Sequence, residues 1–388
     1  MSGAAGTTAG RERRPRRVVA VVAAAGVVAA VLSPPVSARL KAVAVGAEAI
    51  GYALPRPFAA DVSRVETRLG GVTGDLYASS RPAPAIVLLP GATPAGRDDP
   101  RAVAVARAVA RAGRTVFVPE LTLYARSIDV EDVDRIATAA TALAGHPLGL
   151  GPVVIVGFSY GGAYGLVAAA DPRLSGRLAL VATFGAYWDL LGVVQAATTG
   201  TSIVQETRIG WNADPQAGEL LTEHAVQLAP AGHRDQLAAA LAGQAEPAEL
   251  DRDARALYDL LTNDDPERTP ALAARLAPDA RRTLRQLSPA RTAHRVDAPL
   301  VAMHAVDDPA VPYAEALRLV RDRPDARLLT VELFTHVDFA PASLLAGAPD
   351  LWRTWRFAGW VLAAQERPVL AGRASRWGWS GPPGARRR

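Results

Sequence analysis

The stretch Val153-Val154-Ile155-Val156-Gly157-Phe158-Ser159-Tyr160-Gly161-Gly162 decides how the rest of the chain is read. Its opening run of β-branched residues, after Gly151-Pro152, is apolar on both faces of an extended backbone, the pattern of a strand buried within a parallel sheet. The run ends in Gly-x-Ser-x-Gly and leads into an alanine-rich helical segment from Ala163 to Ala170. Strand, tight turn and helix in that order lift one serine above a sheet edge in a strained backbone conformation. The glycines two before and two after it leave room for the turn and the crossing helix. A helix starting just behind Ser159 also points its N-terminal dipole at that hydroxyl. The rival reading, a dinucleotide-binding loop, requires Gly-x-Gly-x-x-Gly, and Ser159 stands where its middle glycine belongs.

Upstream, Val65 to Leu69 and Val72 to Tyr77 alternate around Gly70-Gly71, which predicts a hairpin of edge strands. Ala85 to Leu89 reads as a buried strand running into the turn Pro90-Gly91-Ala92-Thr93-Pro94. A helix from Pro100 to Ala112, a strand from Thr115 to Val118 and a helix from Asp129 to Ala144 follow, the last with its acids in the first turn. Downstream, Leu178 to Thr183 is a strand ending in Phe184-Gly185-Ala186-Tyr187-Trp188-Asp189, beside the usual ligand crevice of such sheets. Strands alternating with helices predict an α/β fold, a mostly parallel central sheet with helices on both faces.

From Leu190 to about residue 297 the strand pattern stops. Alanine, leucine and arginine dominate, broken by Pro230, Pro247, Pro266, Pro270 and Pro278, and a helical cap insertion is expected over the crevice. Strand periodicity resumes at Pro299 to Ala305 and leads into Val306-Asp307-Asp308-Pro309-Ala310-Val311-Pro312. A helix from Tyr313 to Arg321 and a strand from Arg327 to Leu333 precede Phe334-Thr335-His336-Val337-Asp338. Serine, aspartate and histidine thus follow in that order, each just past a strand.

These positions give the chain a resemblance to the α/β-hydrolase superfamily over roughly Val65 to Ala364, outside the cap. Four features carry it: Gly157-Phe158-Ser159-Tyr160-Gly161, the turn at Pro90-Gly91-Ala92, the segment Asp307 to Pro312, and His336. Ser288-Pro289 is similar to the lid exit of dienelactone-hydrolase and prolyl-oligopeptidase type members. The resemblance implies that Ser159 is the nucleophile, His336 the general base and Asp308 the acid, with Asp189 in reserve for that last role. A serine hydroxyl attacks only when a neutral imidazole takes its proton, and a buried carboxylate orients that imidazole and stabilises its charged form. The resemblance places the backbone N–H groups of Tyr160 and Ala92 in the oxyanion hole. The family's usual His-Gly is Pro90-Gly91 here, which leaves the second donor open between Ala92 and Thr93. Thr93, Tyr187 and Trp188 are the candidate substrate-binding residues, and His304 reads as a packed strand-end residue.

The expected activity is a serine hydrolase of the esterase or lipase kind, forming an acyl-enzyme on a small-molecule or lipid-like ester. An acyltransferase with the same triad is the near alternative, and a non-catalytic binding protein of the same fold is the more distant one. The chain of 388 residues is long enough for a large α/β domain with its insertion. It contains no cysteine, which excludes disulfides, thiolate nucleophiles and cysteine zinc sites. Its six histidines show no metal-ligand spacing, so neither a metal nor a cofactor is expected. The net charge of +5 is concentrated at the two ends, from Arg11 to Arg17 and Arg386 to Arg388, and Lys41 is the single lysine. With no basic stripe interleaved with aromatics, nucleic acid is not an expected partner.

The ends have their own reading. Arg11, Arg13, Arg14, Arg16 and Arg17 precede the uncharged run Val18 to Leu32, short of the ~20 residues of a full span. Residues 1–38 therefore read as a basic tail plus a signal peptide or membrane anchor, with small residues at Val36-Ser37-Ala38 for a possible cut. The arginines would stay in the cytoplasm and the catalytic part would face outward. Residues 39–64 are a linker or helix, 65–189 and 298–366 the two parts of the core, 190–297 the cap, and 367–388 a basic tail. Oligomeric state has no signature in the sequence.

Overall fold

The computed structural model describes residues 61–332, 334–336, 338–339 and 348–364. The expected membrane-directed run from Val18 to Leu32, the segment at 39–54 and the basic tail from 367 onward lie outside the described residues. Among the described residues no helix is long and apolar enough to cross a membrane.

The first half of the core alternates as expected: β1 (Ser63–Leu69), β2 (Val72–Ala78), β3 (Ala83–Leu89), α1 (Pro100–Arg111), β4 (Thr115–Pro119), α2 (Glu131–Ala144), β5 (Gly149–Phe158), α3 (Ser159–Ala168) and β6 (Leu178–Phe184). The cap follows with α4 (Leu190–Thr199), β7 (Thr201–Val204), β8 (Thr207–Gly210), α5 (Pro215–Val226), α6 (Arg234–Leu241), α7 (Arg252–Leu261), α8 (Thr269–Arg275) and α9 (Pro278–Gln286). The core then closes with β9 (Leu300–Ala305), α10 (Tyr313–Asp322), β10 (Arg327–Val331) and α11 (Ala348–Ala363).

Eight strands form one sheet in the order β1-β2-β4-β3-β5-β6-β9-β10. The hairpin β1–β2 and the β2–β4 pair are antiparallel, and every neighbour from β4 to β10 runs parallel. The continuous apolar runs explain why. On β3, Val87 and Leu89 face one apolar cluster, with Ile136 and Ala140 of α2 and Ala163 and Leu166 of α3. Ile86 and Leu88 face the other, with Ala106 and Ala110 of α1 and Phe357 and Val361 of α11. A strand buried on both sides has no polar face to offer water, so only a helix-covered parallel sheet accommodates it. Each fully buried Ile or Leu here contributes roughly 1.5–3 kcal/mol.

The cap is not wholly helical. Thr201 to Val204 and Thr207 to Gly210 form an antiparallel hairpin where the sequence suggested only helices. Alternating β-branched residues, Thr201, Ile203, Thr207 and Ile209, favour extension, and Gln205 makes the tight turn at φ 56°. The root of the cap is held by Glu315 of α10, a buried carboxylate that accepts the N–H groups of Trp188 (2.9 Å) and Asp189 (2.7 Å). Burial pushes its carboxyl above the usual range, against the pull of Arg318. Arg318 pairs with Glu315 and donates through Nη2 to the Ile203 carbonyl (2.8 Å), tying the hairpin to the same helix. The first apolar cluster continues without a break from the sheet into the cap, through Leu190 and Val193 to Leu221, Leu237, Leu257 and Leu284.

Candidate active site

Ser159 is the first residue of α3, earlier than the Ala163 start suggested by the alanine pattern, and it sits at φ 51°. A left-handed non-glycine residue stores about 1–3 kcal/mol of strain, tolerated where the surroundings over-determine it. Here the surroundings are two glycines. A Cβ on Gly161 would collide with the Pro90 carbonyl, and one on Gly157 would collide with the backbone of Gly162. Both glycines are therefore required by close approach, and together they force the chain through the sharp strand-to-helix turn.

The turn after β3 packs directly on the serine: a Cβ on Gly91 would lie 3.0 Å from Cβ of Ser159. This turn is rigid. The Thr93 N–H donates to the Gly91 carbonyl (2.8 Å), and the Thr93 hydroxyl donates to Asp99 (3.0 Å). Asp99 in turn caps the N-terminus of α1 and is held down at about 2, chiefly by its hydrogen bonds from Arg101. Thr93 thus reaches the cavity with both its polar hydrogens committed. The Ala92 N–H has no such partner among the described residues.

Asp308 lies just past β9 and is 1 % exposed. Its Oδ1 accepts the N–H groups of Ala310 and Val311 (both 2.9 Å), a turn that fixes the carboxylate. His336 Nδ1 lies 3.0 Å from Oδ1 and 2.9 Å from Oδ2 of Asp308. A carboxylate only accepts, so Nδ1 carries the hydrogen and Nε2 is left as the basic nitrogen. Burial pushes the Asp308 carboxyl up, but the hydrogen bond and charge of His336, with His304 behind it, prevail and hold it below its ordinary value. His336 itself takes φ 58°. Gly185, past the end of β6 at φ 61°, runs beneath the pair: a Cβ there would lie 3.1 Å from His336 Nδ1 and 3.2 Å from Asp308 Oδ2.

Ser159, His336 and the Pro90 to Thr93 turn line one cavity of about 380 Å³ under the cap. Apolar side chains, Val105, Phe158, Val193, Leu220 and Leu221, make much of its wall. Trp211 lines it from the cap, and Asp99, Arg101, Arg126 and Asp214 add charge to its lining.

The structure therefore brings together Ser159, Tyr160, Ala92, Thr93, Asp308 and His336. It does not bring Tyr187 or Trp188 to the cavity, which corrects the expectation for those two. Tyr187 is fully buried, donating its hydroxyl to the Leu287 carbonyl (3.0 Å) with its ring edge-on to Tyr160. Trp188 donates its indole N–H to Asp322 (2.7 Å), away from the site. Asp189 caps α4 through the Leu191 N–H (3.0 Å), a structural duty. His304 is buried, with Nε2 donating to the Val311 carbonyl (3.0 Å), and burial lowers its affinity for a proton. Ser288, at the exit of the cap, accepts the Leu190 N–H (3.0 Å).

Two residues escaped the sequence. Trp211 donates its indole N–H to the Asp308 carbonyl (2.7 Å) across 97 positions. His224, on α5, lies edge-on to Tyr160 with ring centroids 5.0 Å apart. No local pattern marks either, because each acts through a distant segment. Among the described residues no group of acidic or histidine side chains is arranged to hold a metal ion.

The strand order, the serine turn after β5, the buried aspartate past β9 and the histidine past β10 give this chain the α/β-hydrolase fold. No protein-family profile matches the chain, and no curated protein matches it. Among solved structures it is similar to an acylaminoacyl peptidase in complex with Z-Gly-Gly-Phe-chloromethyl ketone, at 14 % identity and TM-score 0.47, over 82 % of this chain and 43 % of that one. The chain thus spans less than half of that peptidase. It is also similar to the α/β hydrolase GrgF from Penicillium sp. sh18, at 17 % identity and TM-score 0.46, over 78 % of this chain and 99 % of that one. A hormone-sensitive lipase from a metagenome library matches at 13 % identity and TM-score 0.43, over 86 % of this chain and 98 % of that one.

Proposed function

We propose that this chain is a serine hydrolase that cleaves carboxylic esters through an acyl-enzyme on Ser159. The observation that carries the reading is the His336–Asp308 pair, 2.9 Å at its closer oxygen, opening on the cavity that also exposes Ser159 on its strained turn. In this reading Ser159 Oγ attacks the ester carbonyl carbon as its proton passes to His336 Nε2. The carbonyl oxygen becomes an oxyanion held by the backbone N–H groups of Tyr160 and Ala92. Ala92 is favoured over Thr93 because the Thr93 N–H is already spent on Gly91. Collapse of the intermediate breaks the ester C–O bond and the alcohol leaves with the proton from His336. Water then repeats the sequence, releasing the acid and restoring the serine.

The largely apolar wall fits an uncharged acyl group or alcohol of modest size, in keeping with a lipid-like ester. The arginines ahead of Val18 to Leu32 support a further part of the proposal, that this run directs the protein to a membrane with its catalytic part outside. Labelling of the wild type by a fluorophosphonate probe, with loss of labelling in Ser159→Ala, tests the nucleophile. Hydrolysis of p-nitrophenyl esters tests the substrate class. Labelling that persists undiminished in Ser159→Ala overturns the reading.

A further inference from the structure

We propose that Trp211, carried by the cap, is a positioning residue for Asp308, so that the acid is aligned only while the cap is docked. The proposal rests on the reading of Asp308 as the acid of the triad. Two consecutive carbonyls of the acid loop are bonded by the cap. The Asp308 carbonyl accepts the Trp211 indole N–H (2.7 Å), and the Pro309 carbonyl accepts the Asp214 N–H (3.0 Å). From beneath, the Val311 carbonyl is held by His304 (3.0 Å). The acid loop is thus gripped from the core on one side and from the cap on the other.

The cap side of the grip is itself fixed. Trp211 follows β8, and its own N–H donates to the Gly200 carbonyl (2.8 Å) at the foot of the hairpin. The hairpin is tied to α10 by Arg318, and Asp214 opens α5 as its N-cap. A displacement of the cap at this edge would break both bonds to the loop at once. Asp308 would then keep its two turn hydrogen bonds but lose the tether on its own main chain, and the angle it presents to His336 Nδ1 would widen. Misdirected carboxylate stabilises the imidazolium less, which is a loss in the transition state and not in substrate binding.

The test replaces the N–H and nothing else. A benzothienyl analogue of tryptophan at position 211 of the full chain keeps the bicyclic ring against the cavity and puts sulfur where the donor was. Trp211→Phe is the companion variant. With p-nitrophenyl butyrate, kcat is expected to fall about tenfold for the analogue, the scale of one lost hydrogen bond to an aligning group, with KM within about twofold of wild type. The far-downfield proton resonance of a histidine N–H held by a carboxylate is expected to shift or broaden in the same protein. Unchanged kcat with the analogue overturns the proposal. So does an equal change in kcat and KM with the resonance unmoved, which would make Trp211 a wall of the cavity only. Asp308→Asn in the same assay separates the two readings. If Asp308→Asn is fully active, the acid has been misassigned; if it is crippled while the analogue is fully active, the clamp alone has failed.

Discussion

Replacing His224 by leucine should make the protein more stable, and increasingly so toward acid pH. The ring is 3 % exposed, faces Tyr160, and neither Nδ1 nor Nε2 has a hydrogen-bond partner. Burial, with the Arg126 charge adding to it, pushes its pKa down from 6.5 to about 4. The unfolded chain therefore takes up a proton near 6.5 that the folded chain refuses until about 4. Across that window the unfolded state binds more protons, so stability falls as pH falls and levels off below the folded value. A displacement of this size corresponds to about 3 kcal/mol at most, of which about 2 kcal/mol is expressed between roughly pH 7.5 and 5. Leucine has nearly the same volume and nothing to protonate, so His224→Leu removes this component. It also removes two unmatched buried nitrogens, a gain of about 1–3 kcal/mol that is present even near neutral pH. Urea unfolding of both proteins by tryptophan fluorescence, near pH 7.5 and near pH 5, gives the comparison. Any contribution from the other titratable groups is common to both proteins and cancels in the comparison. A stability difference between the two proteins that is the same at both pH values would refute the argument.

Ser159→Ala is expected to reduce ester hydrolysis by a factor on the order of 10³ or more with the fold intact, and His336→Ala by nearly as much, measured by turnover and circular dichroism. Asp308→Asn should cost on the order of 10³-fold in kcat, whereas exposed Asp307→Asn should stay within about twofold; full activity in Asp308→Asn would move the acid elsewhere. Deleting residues 1–38 should release an active protein from membranes, and fractionation with external protease checks the orientation of the full chain. Recovery of the full-length protein wholly in the cytosol, untouched by protease added outside, would count against both anchor and export.

The parts of this architecture that were legible in advance are those written within one segment. Val153 to Val156 is apolar on both faces, and only a covered parallel strand satisfies that. Gly157 and Gly161 flank Ser159 at the spacing the crossing helix requires. The resemblance singles out Asp308 over Asp307 through the phrase Asp308-Pro309-Ala310-Val311-Pro312, and the structure buries the one and exposes the other. What escaped depends on contacts between segments. Tyr187 and Trp188 stand at the right end of a strand, but position past a strand does not say which way a side chain turns, and both turn inward to Leu287 and Asp322. The hairpin of β7 and β8 is two strands of four residues within alanine-rich helices, too short for periodicity to register. Trp211 and His224 have no signature at all, because their partners lie in the loop of Asp308 and in the turn of Ser159.

The unbroken run of apolar contacts from β3 and β5 through Leu190 to Leu257 and Leu284 has a consequence for folding. A cap with its own core could melt, or be exchanged for another, while the sheet stayed native. Here the leucines of α5, α7 and α9 share one interior with the sheet, so excising the cap would strip cover from strands that have no polar face. Sheet and cap should unfold in one cooperative transition, with amides of α7 exchanging at the same free energy as those of β5. New substrate preference in such a molecule is then reached by changing side chains along the cavity wall, and not by grafting a different lid onto an indifferent scaffold.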